Sequence, residues 1–77
     1  MTVKRTPSGG VMIKASARDT WNWAHRPGAS WPCSSLSGHK IMVELEKNGD
    51  LIDFTGPEDC DAHELRAFTD DALESHP

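Results

Sequence analysis

The sequence predicts an α+β fold in which a small antiparallel sheet is packed by one C-terminal helix. Three observations carry that expectation: a hairpin pattern at 41–55, an apolar/polar alternation near 11–16, and a capped stripe of helical period at about 61–75. A chain of 77 residues makes a single small domain, 1–77, and buries only about 60% of the surface its unfolded form exposes. Its core is therefore small, and the ends 1–8 and 75–77 are expected to fray.

Taken in order, the residues before Pro7 either pair with the next strand or fray. Pro7-Ser8-Gly9-Gly10 is a turn, after which Val11, Ile13 and Ala15 alternate with Met12, Lys14 and Ser16 as a strand does. Residues 17–25 fit two forms. Ser16 with Asp19 can cap a helix, on which Trp21 and Trp23 diverge by about 200°; on an extended chain the two rings share one side. The extended form is favoured.

Pro27-Gly28 turns the chain, and Trp31 to Leu36 fit one or two helical turns, capped by Ser30 and ended near Gly38. The result is a long Trp-rich connection, of a kind that is either functional or held down by large side chains. Its tryptophans are expected to supply core, because each can bury about 200 Å². Trp31 is expected to anchor the connection, with at least one of Trp21 and Trp23 exposed beside Arg18 or Arg26.

In the hairpin, Asn48-Gly49 reads as a type I′ turn, since both central residues of that turn take positive φ. Pairing outward sets Leu45 opposite Ile52 and Val43 opposite Phe54, on one face with Ile41. Glu44 then pairs with Asp53, and Glu46 with Leu51, on the other. In the C-terminal helix, Asp61 is the cap, Glu64 completes a capping box, and Cys60 touches Leu65 as a hydrophobic staple. Ala62, Leu65, Phe68, Ala72 and Leu73 form the apolar stripe, while Glu64, Asp70, Asp71 and Glu74 take the polar side. Phe54 and Phe68 are expected to meet between sheet and helix.

Charge divides the chain. Residues 1–40 carry six cations (Lys4, Arg5, Lys14, Arg18, Arg26, Lys40) against Asp19 alone, leaving plus five. Residues 41–77 carry eleven acids against Lys47 and Arg66, leaving minus nine, so the net charge of −4 hides a strong asymmetry. The halves either neutralise each other in the fold or present two faces of opposite sign to partners.

These features bound the function. The basic start leads into no apolar run of the kind a signal peptide or membrane span requires, which points to a cytoplasmic protein without a membrane partner and with Cys33 and Cys60 as thiols. The sequence holds no G-x-S-x-G, Walker loop, H-E-x-x-H or EF-hand loop. A non-enzymatic protein-interaction module, of inhibitor or adaptor type, is the reading that remains. Small open reading frames of phages and mobile elements often share this size and make-up. Its partner, most simply another protein, would meet an exposed Trp/Arg surface (Trp21, Trp23, Arg18, Arg26) or an acidic hairpin/helix face including Glu44 and Asp53. One alternative is a single-stranded nucleic-acid binder that stacks bases on Trp21, Trp23 and Trp31 beside Lys4, Arg5, Lys14, Arg18 and Arg26. Another is a zinc-stabilised domain with Cys33, His39, Cys60 and His63 as ligands, in which the Cys60–His63 spacing sets two donors beside a helix start. No other cofactor is expected.

Overall fold

Alternation along the strands decides what faces inward. Val11, Ile13 and Ala15 are buried, as are Ile41, Val43 and Leu45, whereas the residues between them project to the other side of the sheet. A computed structural model describes residues 1–28 and 35–75. Its elements run β1 (Thr2–Arg5), β2 (Val11–Ala15), α1 (Ala17–Ala24), β3 (Ile41–Leu45), β4 (Leu51–Thr55) and α2 (Ala62–Ser75). The sheet has four strands in the order β1-β2-β3-β4, each antiparallel to its neighbour, so β1 and β4 are the edges. Of the two forms open to the first residues, pairing is the one found: Thr2 lies opposite Lys14 and Val3 opposite Ile13.

Both hairpins turn in the same way. Gly9 donates to Thr6 O at 3.0 Å and Thr6 to Gly10 O at 3.1 Å; Gly49 donates to Glu46 O at 2.8 Å and Glu46 to Asp50 O at 2.7 Å. Gly9 and Gly49 have φ of +87° and +91°, the left-handed residue that follows a type I turn in a three-residue hairpin loop. The expected type I′ turn is therefore corrected. No non-glycine described residue has positive φ, so Asn48 sits in the right-handed part of the turn and Gly49 alone takes the left-handed place.

That longer loop shifts the near end of the hairpin by one residue. Leu45 faces Leu51, not Ile52, and a bulge between Glu44 and Leu45 restores the register, so that Glu44 faces Asp53 and Val43 faces Phe54 as expected. Ile52 is the extra residue.

Residues 17–24 form a helix, which overturns the extended reading. Ser16 Oγ accepts from Asp19 N at 3.1 Å and Asp19 Oδ2 accepts from Ser16 N at 2.9 Å. This reciprocal box satisfies two amides at the helix start, and the local gain outweighs any preference of the tryptophans for one side. Both helices lie on the apolar face of the sheet. Phe68 and Ala72 of α2 join Leu36 and the β2 and β3 residues in one buried cluster, with Trp23, Phe54, Cys60, Leu65 and Leu73 packed around it. At position 10 the hairpins come so close that a Cβ would overlap the Leu45 carbonyl oxygen. No helix among the described residues is long and apolar enough to cross a membrane.

Candidate functional site

Helical geometry separates the two tryptophans of α1. Trp23 turns inward: its ring meets Phe68 edge-on at 5.2 Å, its Nε1–H donates to Asp71 Oδ2 at 2.9 Å, and the Arg26 guanidinium lies 5.4 Å above it. Arg26 also pairs with that carboxylate at 2.7 Å. The indole hydrogen bond, opposed by some burial and helped by Arg26, holds the Asp71 carboxyl below its ordinary range. Trp23 and Arg26 thus fasten α1 to α2. Trp21 turns outward, 52% exposed, and stacks on His25 at 4.2 Å. Arg18 is exposed on the same helix, while Trp31 lies outside the described residues.

The start of α2 holds an unexpected centre. Asp61 Oδ1 accepts from the amides of His63 and Glu64 at 2.8 and 3.2 Å, as a cap should. Glu64, however, leaves the box and is 2% exposed, which corrects its assignment to the polar side. Its carboxylate accepts from Ser35 N at 3.0 Å, Ser35 Oγ at 3.1 Å and Leu36 N at 3.0 Å. Ser35 Oγ in turn accepts from Asp61 N at 3.2 Å. A buried carboxylate demands such donors. From the other side, Thr20 Oγ1 lies 2.9 Å from His39 O, within donating distance. Residues 35–39 are thereby tied to both helices, and Leu36, fully buried, anchors them.

Of the proposed zinc ligands, the three among the described residues, His39, Cys60 and His63, are not brought together as a metal site. His39 and His63 are exposed and Cys60 is half-buried. Among the described residues no group of three or more His, Cys, Asp or Glu side chains is placed to hold a metal ion, and Cys33 lies outside them. Burial pushes the Cys60 thiol up, with Glu64, Asp61 and Asp59 adding to the effect against a hydrogen bond from Ser35.

Glu44 and Asp53 face each other on the open side of the sheet, away from the helices, in a row that continues through Met12 to Lys4. On the helix side, a groove of about 270 Å³ opens between the turn end of the hairpin and α2, with Leu45, Leu51, Leu65 and Leu73 as apolar walls and Asp50, Arg66 and Asp70 among its lining residues. Leu51 and Ile52 are 53% and 47% exposed. The sequence reading set Ile52 beside Leu45 on the core face and Leu51 beside Glu46 on the other, whereas the longer loop brings Leu51 to Leu45 and leaves Ile52 as the exposed extra residue.

Compared with known proteins, the chain matches no family model, no curated protein and no solved structure.

Proposed function

We propose that this chain is a small non-enzymatic protein-interaction module that meets its partner through the acidic hairpin/helix face around Leu51. The observation that carries the reading is the half-exposed Leu51 beside an unfilled groove walled by leucines of β3 and α2. Large apolar side chains next to a concave apolar surface gain free energy when a second protein covers them. The exposed acids that line the groove, Asp50 and Asp70, favour a partner of opposite charge and speed the encounter. Trp21 is the competing contact, because an exposed aromatic ring on a helix with Arg18 also suits a base.

Capture from source-cell lysate, compared across variants, tests the reading. Leu51→Ser should lose the captured partner with a melting temperature close to wild type, whereas Trp21→Ala and nuclease treatment leave capture intact. Loss on Trp21→Ala together with nuclease sensitivity would instead support single-stranded nucleic acid as the ligand.

A further inference from the structure

The groove accounts for Leu51 but not for the rest of β4. Ile52 projects to the other side, where it lines a separate hollow with Ser8, Glu46, Lys47 and Asn48. The outer edge of the strand thus carries an exposed apolar side chain on each face of the sheet. An unpaired edge of that kind templates further strands unless something blunts it. Here one of its donors is already covered: the backbone N–H of Phe54 donates to Oδ1 of its neighbour Asp53 at 2.9 Å. A main-chain donor taken by a side-chain acceptor is one that does not point at β3.

We propose that the free edge of β4 accepts an extended, basic and apolar segment of another protein as an added strand, with Asp53 guarding the edge against pairing with a second copy of this chain. The proposal rests on the protein-binding reading above and names the class of partner. A strand laid beside β4 sends alternate side chains to the two faces. One set covers Leu51 and enters the groove; the other covers Ile52. Asp50, Asp53 and Asp70 are all exposed along this path, and among the described residues Arg66 pairs with Asp70, at 4.0 Å. Lysine or arginine on the incoming strand supplies the missing charge and draws the Asp53 carboxylate away from the Phe54 amide, freeing that donor. A second copy brings its own Asp50 and Asp53 to the edge, so self-pairing sets like charges together.

The test uses the whole chain and a short synthetic peptide alternating lysine with valine, titrated while amide resonances and hydrogen exchange are followed. Binding should shift β4 and the Leu65–Leu73 side of α2 and slow exchange at Phe54. An analogue with the same side chains and an ester backbone, lacking the N–H donors, should bind about tenfold or more weakly, and a glutamate version should not bind. Equal binding by the ester analogue, with shifts still centred on Leu51, would overturn strand addition and leave the binding face standing. Shifts confined to Trp21 and Arg18, or no binding at all, would take down the face as well. Asp53→Ala should self-associate with rising concentration in sedimentation; a variant that stays monomeric would remove Asp53 from the guarding role.

Discussion

At the start of α1, the Ser16 hydroxyl and the Asp19 carboxylate each hold the other's backbone amide, three residues apart in the chain. At the start of α2, Asp61 holds the amides above it, but the acid three residues on does not return the bond: Glu64 reaches residues 35 and 36, and the Ser35 hydroxyl takes the Asp61 amide in its place. The two sequence patterns are alike. Their outcomes differ because glutamate is one methylene longer and lies on the buried side of its helix, where a carboxylate must find several donors. The α1 box serves one helix. The α2 version joins that helix to a segment almost thirty residues away, so the same cap chemistry becomes tertiary structure.

Phe68→Ala should have the largest effect, about 3 to 5 kcal/mol, because the ring is fully buried and Trp23 of α1 rests on it. Thermal melting checks it, and a change of only a degree or two would mean that the helices are not joined there. Next comes Glu64→Ala, which strands at least the Ser35 and Leu36 amides and the Ser35 hydroxyl and should cost about 3 kcal/mol, with Glu64→Gln milder because one carbonyl acceptor remains. Denaturant titration decides the point: a loss within experimental error would demote the link to decoration. Ser16→Ala should cost only about 1 kcal/mol, and a loss equal to that of Glu64→Ala would erase the contrast between the two helix starts.

The smallest effect concerns pH. Asp19 is held below its ordinary value first by the Ser16 amide and then by the chain's N-terminal amine, 3.0 Å away. Asp71 is lowered first by Trp23. A depressed folded pKa stabilises the fold at pH above the unfolded value, and that stability is lost as pH falls through the folded one. Melting temperature should therefore decline below about pH 4, the ordinary aspartate range. Both carboxylates are about a third exposed (30% and 35%), so the decline attributable to them should be slight, and Asp19→Asn should flatten part of it. A rise in stability on acidification would contradict both assignments.

How much of this the sequence disclosed depended on whether the deciding contact was local. The β3–β4 pairing of Val43 with Phe54 and Glu44 with Asp53, the apolar strand face and the Asp61 cap were all legible, because alternation and capping act over a few residues. The helix at 17–24 was legible too, since its Ser16–Asp19 pattern is in the sequence, but the two-residue spacing of the tryptophans points to an extended chain, and the reciprocal cap decides between them. The turn was misread because Asn-Gly serves both a two-residue loop and the end of a three-residue one, and the bulge at Ile52 conceals the difference by restoring the register. Glu64 could not be placed from sequence. Its partners lie across the fold, and an acid in the first helical turn ordinarily faces water. The candidate face was half legible: its acids were counted, but the groove exists only once α2 lies beside Leu51.

The close approach of the two hairpins at Gly10, beside the Leu45 carbonyl, bears on how this protein can vary. Positions such as Gly28 and Gly38 have open space where a side chain would go, so replacements there meet only the resistance of a positive φ. At Gly10 the obstacle is the backbone of another strand, which no rotamer can avoid and no neighbouring side chain can relieve by moving. In a saturation library selected for folded protein, position 10 should return glycine alone, while the loop glycines tolerate asparagine and aspartate. A lineage of such chains could then drift widely at its surface and still be traced by that one residue and the spacing to the strand it touches.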